Sequence, residues 1–233
     1  MLLAMRNFGG KKSFNPVYVN GPSLGAGHAF SGGVLAPNGR VIFVPGSGRI
    51  IGIYDPATET YTAGPEAGGV NFAFQGGVLA PNGNIIFVKY AQQATIGIYD
   101  PTANTYTAGP AHGVARYAFR GGVLAPNGKV VFAPYESPNV GIYDPATDTY
   151  TAGPAHCAGT NAFQGGVLAP NGKVILAPYA SPNIGIYDPA TDTYTAGPAH
   201  GAGTNAFQGG VLLPNGKVIF VPFGSANIGI LTF

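Results

Sequence analysis

Tryptophan is absent from the 233-residue chain, cysteine occurs once, and only 9% of residues are charged. Each shortage removes a class of protein. With Cys157 alone no disulfide can form within the chain, which fits a reducing, intracellular setting. With 9 acidic residues against 11 basic ones the net charge is +2, far from the basic footprint of a nucleic-acid binder. Leu2 to Met5 is too short for the apolar region of a signal peptide or for a membrane span. No Asn-x-Ser/Thr acceptor for glycosylation occurs. The expectation is a soluble chain that engages neither nucleic acid nor membrane.

Glycine and proline are abundant instead, at 38 and 21 residues. They recur at fixed positions. Gly-Gly-Val-Leu-Ala-Pro-Asn-Gly starts at Gly32, Gly76, Gly121 and Gly165, and a near copy starts at Gly209, with intervals of 44, 45, 44 and 44 residues. A period of this size built of short apolar runs and tight turns is the mark of a propeller blade. In the third repeat, strands are expected over 118–125, 129–133, 140–143 and 149–152. Pro126-Asn127-Gly128 supplies the first reversal, since Asn-Gly accommodates positive backbone angles. The unbroken run Val130-Val131-Phe132 implies a strand buried on both faces, between neighbouring blades. The fold class follows: an all-β, five-bladed propeller with four antiparallel strands per blade.

The chain ends suggest how the ring closes. The last repeat stops after its third strand, Ile228 to Phe233. Val17-Tyr18-Val19-Asn20-Gly21-Pro22 matches the fourth strand Thr149-Tyr150-Thr151-Ala152-Gly153-Pro154 in phase. The N-terminal strand is therefore expected to pair with the C-terminal blade and remove both exposed edges. Residues 1–13, with Arg6, Lys11 and Lys12, read as a flexible basic tail, and residues 14–233 as one propeller domain and a monomer.

The segment Tyr54-Asp55-Pro56-Ala57-Thr58-Glu59-Thr60-Tyr61 resembles the second half of a kelch repeat, in which Asp-Pro separates two aromatics. The pattern returns at Tyr99/Tyr106, Tyr143/Tyr150 and Tyr187/Tyr194. The second aromatic is Tyr where kelch proteins usually have Trp, and the Gly pair lies in the first strand rather than after the second. The resemblance implies a kelch-like propeller used for protein binding; the copper ligands of the family's oxidase branch have no counterpart here. Near-identical blades are also similar to those of propellers in large DNA viruses.

The polar residues offer little chemistry. Asp55, Asp100, Asp144 and Asp188 precede proline and read as turn residues. His112, His156 and His200 occupy one repeat position, so a ring would spread them too far apart to share a metal. Cys157 replaces Gly113 or Gly201 and has no oriented base. No catalytic residue, metal or cofactor is expected, and the chain is read as a non-enzyme.

Recognition falls on the turns that vary. Pro-Asn-Gly and Asp-Pro recur almost unchanged, whereas the loops between second and third strands and between blades differ. In an up-and-down blade these two loop sets share one face. His28, Phe72 and Tyr117 occupy the variable blade-to-blade position, Tyr90 a neighbouring loop. Gln75, Arg120, Gln164 and Gln208 precede the Gly pairs and form a ring around one mouth of the channel. These eight residues are the candidate binding site for a protein partner. The alternative is a lectin with carbohydrate sites repeated between blades.

Overall fold

Asn-Gly and Asp-Pro turns alternate with runs of β-branched and aromatic residues, and the computed structural model folds each such unit into one antiparallel sheet. It describes residues 17–24, 30–69, 71–90, 95–114 and 116–233. The first blade contains β1 (Phe30–Leu35), β2 (Val41–Pro45), β3 (Ile50–Asp55) and β4 (Thr60–Glu66). The second contains β5 (Phe74–Leu79), β6 (Ile85–Lys89), β7 (Thr95–Asp100) and β8 (Thr105–Ala111). The third has β9 (Phe119–Leu124), β10 (Val130–Pro134), β11 (Asn139–Asp144) and β12 (Thr149–Ala155). The fourth has β13 (Phe163–Leu168), β14 (Val174–Pro178), β15 (Asn183–Asp188) and β16 (Thr193–Ala199). Among the described residues the fifth has β17 (Phe207–Leu212), β18 (Val218–Pro222) and β19 (Gly229–Leu231). The described residues include no helix, and none long and apolar enough to cross a membrane.

The core lies between blades. Val44, Ile51 and Ile53 on one face of blade one meet Ala73, Phe74, Phe87 and Tyr99 on the opposite face of blade two. The same join is made by blades two and three, three and four, and four and five. The second strands of the three middle blades, β6, β10 and β14, are accordingly buried along their length.

Both recurrent turns owe their sequence to this stacking. Asn38 Oδ1 accepts the Arg40 amide at 3.1 Å within its own turn, while its Nδ2 donates to the Pro101 carbonyl of the next blade at 3.0 Å. Asn82 and Asn127 reach Pro145 and Pro189 in the same way, each at 3.1 Å. Asp55, Asp100, Asp144 and Asp188 each accept a backbone amide two residues on, which fixes the Asp-Pro turn. These aspartates are turn residues, as their position before proline implied.

The closure of the ring differs from expectation. Residues 17–24 belong to no sheet, and Val17, Tyr18 and Val19 are 82%, 89% and 74% exposed. The fifth sheet stays three-stranded. Among the described residues no apolar core joins blade five to blade one, and Ile228 is 60% exposed where its counterpart Ile184 is 6%. Pairing phase alone does not bring two strands together; packing between the blades that carry them does, and among the described residues blades one and five share no such core. The basic tail at residues 1–13 lies outside the described residues.

Candidate functional site

The innermost strands carry the Gly pairs, and each has a bulge there, as between Phe163 and Gly166. Gly165 has φ +80°, and a Cβ on it would come within 2.9 Å of Gly209 Cα. Only glycine permits this approach, because neighbouring strands crowd one another around the axis. The residue before each pair then turns toward the channel. Ser31, Gln75, Arg120, Gln164 and Gln208 line an open cavity of about 230 Å³ at its mouth.

Arg120 is the charged member of that lining. Its Nη1 donates to Gln164 Oε1 at 3.0 Å, and its Nη2 donates to the Tyr90 hydroxyl. The guanidinium carbon lies 3.8 Å from the centre of the Tyr135 ring and 4.8 Å from that of Tyr90. Guanidinium is weakly hydrated and planar, so stacking between two phenols holds it at little cost. Burial pushes the Tyr135 phenol up, against the opposing pull of Arg120. Arg120 Nε and Gln75 Oε1 are buried without a hydrogen-bond partner among the described residues.

Around this centre runs an aromatic crescent. Tyr117 lies 5.0 Å from Tyr90, Tyr135 lies 5.7 Å from Tyr179, and Tyr179 lies 5.7 Å from Phe223, with Arg120 bridging Tyr90 and Tyr135. Tyr90, Tyr135, Tyr179 and Phe223 all follow a second strand, one from each of blades two to five. Of these, sequence reasoning singled out Tyr90 alone. The signal was present in the repeated aromatic after Pro134, Pro178 and Pro222.

The two variable loop sets do meet. The Phe72 amide donates to Gly46 O at 2.8 Å, and the Glu136, Ala180 and Gly224 amides donate to the carbonyls of Tyr117, Asn161 and Asn205. Phe72, Tyr117, Asn161 and Asn205 all have positive φ, between 46° and 58°. Asparagine tolerates that conformation and bulky aromatics do not. Yet Phe72 and Tyr117 adopt it, 55% and 37% exposed. The structure thus gathers Arg120, Tyr90, Tyr117, Gln75, Gln164 and Gln208 at one end of the channel, with Phe72 on the neighbouring loop. His28 lies outside the described residues.

The histidines serve the fold. His156 Nδ1 accepts the Ala158 amide at 3.1 Å, so its Nε2 carries the proton toward Ser137 O at 2.7 Å. Burial lowers its pKa, opposed by that carbonyl. With both ring nitrogens engaged, His156 is not poised to activate the exposed Cys157 beside it. His200 repeats the arrangement with Ser181 O and the Ala202 amide. Among the described residues no three His, Cys, Asp or Glu side chains are grouped to hold a metal.

No family model and no curated protein matches the chain. Solved structures of propeller type do. Virginiamycin B lyase from Staphylococcus aureus superposes with a TM-score of 0.71 at 15% identity, over 86% of this chain and 66% of the lyase. An inactivated variant of that lyase with quinupristin gives 0.73 at 16%, over 90% of this chain and 69% of the lyase chain. An auxiliary nutrient binding protein from Bacteroides ovatus gives 0.63 at 16%, over 88% and 56%. This chain therefore spans about two thirds of the lyase's length. At such identities the likeness shows the fold alone: an all-β, propeller-type chain of repeated antiparallel sheets. The similarity is to lyase-like propellers and is not specific to kelch proteins.

Proposed function

We propose that the chain is a non-enzymatic propeller scaffold that binds a protein partner through the variable-loop end of its channel. A single observation carries this reading. Two blades place exposed aromatics, Phe72 and Tyr117, in a left-handed conformation that the equivalent Asn161 and Asn205 adopt without strain. Strain of order 1 kcal/mol or more, held at two surface positions of which one, Tyr117, packs on Tyr90, has a rationale in recognition and none in stability. Aromatic and arginine side chains on a rigid frame are also the residues that dominate protein interfaces.

The kelch-type motif supports the same reading as a resemblance. A carbohydrate-binding alternative draws on the aromatic repeated in four blades, but Tyr135, Tyr179 and Phe223 pack tilted against one another and Tyr135 is buried, which disfavours four equivalent platforms for sugar rings.

The test probes the purified chain and its Phe72→Asn/Tyr117→Asn variant in parallel on protein and glycan arrays. The variant should gain about 1 kcal/mol in stability from relief of strain and lose the protein ligands of the parent. Protein ligands retained by the variant, or several equivalent glycan sites per chain, would sink the proposal.

A further inference from the structure

Several cations of this chain meet a carboxylate at the surface. Arg40 Nε lies 3.2 Å from Asp55, Arg49 Nη1 3.0 Å from Glu66, Lys129 Nζ 3.6 Å from Asp144 and Lys173 Nζ 3.2 Å from Asp188. Arg120 is half-buried at the mouth of the channel and forms no ion pair among the described residues. Glu136, next to Tyr135 in sequence, is exposed and does not reach it. A guanidinium cannot shed its proton to relieve this. It keeps its charge between two tyrosine faces, and its two hydrogen bonds go to neutral acceptors, Gln164 Oε1 and the Tyr90 hydroxyl. Those bonds use two of the five N–H donors that an arginine carries. The rings also fix its plane, so little rotamer entropy is left to lose when it grips a ligand.

The rest of the lining adds hydrogen-bonding groups and no charge. Ser31, Gln75, Gln164 and Gln208 bring a hydroxyl and three carboxamides to the same cavity of about 230 Å³. One fixed positive charge among neutral donors matches one negative charge. The volume falls below the roughly 300–1,000 Å³ of sites that enclose a small ligand, which suits the tip of a larger molecule. The border of the cavity favours the same occupant. Tyr117 packs on Tyr90 and Tyr135 on Tyr179, so aromatic rings flank the charge. A charged contact surrounded by side chains that exclude water is the arrangement found at the centre of protein interfaces.

Resting on the protein-binding reading above, we infer that the channel mouth is a carboxylate socket. A side-chain or C-terminal carboxylate of the protein partner enters among Gln75, Gln164 and Gln208 and pairs with Arg120. Partial burial makes this pair stronger than the surface ones, because water and salt screen it less.

The probe is N-acetylglycine, a monoanion that ends in a carboxylate, with N-acetylglycinamide as its neutral counterpart. Each is titrated into the isotope-labelled full chain, where the amide signals of Gly121 and Gly165 report on the cavity they line. N-acetylglycine should give saturating shifts there, and the neutral amide none. Arg120→Gln should weaken binding about tenfold or more. Gln208→Leu, at an exposed position where folding is not at stake, should weaken it several-fold. Proteins captured by the parent chain on the array should be displaced by N-acetylglycine and not by its amide. No saturable shift, an equal response to the amide, or unchanged affinity in both variants overturns the socket. Saturable shifts without displacement of the captured proteins make a free small carboxylate the ligand, which overturns the proposal as well. Either failure leaves the protein-binding reading standing, because that reading is decided by the ligands lost from Phe72→Asn/Tyr117→Asn.

Discussion

Lys89 stands where the other four blades have proline, Pro45, Pro134, Pro178 and Pro222, and it is 1% exposed. Its ammonium donates to the Val114 carbonyl at 3.2 Å, which answers one of three N–H donors. Burial drives its pKa from 10.5 down to about 8. Between those two values the unfolded chain holds the extra proton, so stability rises as pH climbs from about 8 to about 10.5, and below pH 8 the full penalty stands. At about 1.4 kcal/mol per pKa unit, that penalty is roughly 3 kcal/mol. Lys89→Met keeps the length and apolar stem without the charge. Allowing about 1 kcal/mol for the lost hydrogen bond, the variant should be about 2 kcal/mol more stable at pH 7. The window closes above pH 10. There the phenols of Tyr150 and Tyr194, which burial pushes up to about 12, ionise first in the unfolded chain and lower stability. Urea denaturation of both proteins at pH 7 and pH 9.5 measures the effect. The parent should gain stability at the higher pH while Lys89→Met gains much less. A parent chain equally stable at the two values, or a variant no more stable at pH 7, would refute the buried-ammonium account.

Two further substitutions test the stacking of blades. Gly165→Ala places a Cβ about 2.9 Å from Gly209 Cα at φ +80°, and should cost roughly 2–4 kcal/mol, read as a fall in melting temperature. Asn82→Ala removes both the bond to Pro145 in the next blade and the bond to its own turn, at a cost of about 1–2 kcal/mol. Asn215→Ala, in the last blade of the arc, removes the turn bond to Lys217 and should cost measurably less. Equal losses in the two asparagine variants would show that the turn alone, not the link between blades, sets the residue.

Much of the fold was legible because it is local. Strand limits in blade three fall within about two residues at all but one end of those read from Pro126-Asn127-Gly128 and Asp144-Pro145. At that end β12 runs on to Ala155, through Gly153 and Pro154. Such turns announce themselves through backbone angles, independent of anything distant. The meeting of the two variable loop sets was legible for the same reason, since alternation of strand direction fixes it. Closure was not legible. Val17–Pro22 has the right pattern for an outer strand, but whether blade five reaches blade one depends on the angle accumulated over four inter-blade cores. Lys89 was opaque as well: a lysine in a proline position reads as surface drift until burial is known. The crescent of Tyr135, Tyr179 and Phe223 was visible as a repeated aromatic. Its assembly around Arg120 needed the rings in three dimensions.

The two ends of the channel differ for a physical reason. At one end the Pro-Asn-Gly turns of blades one to three are bonded to the Asp-Pro turn of the following blade, so a change there disturbs two sheets. At the other end the loops are held by backbone amides and carbonyls, as between Glu136 and Tyr117 or Ala180 and Asn161. Backbone pairing is indifferent to side-chain identity, so these positions accept Phe, Tyr or Asn without unmaking the join. That freedom explains why the loops can vary, but not why two of them carry the residues least suited to a left-handed backbone. Drift at a permissive position would favour asparagine or glycine. Aromatics retained against conformational preference, beside a stacked arginine, are what a recognition surface would select.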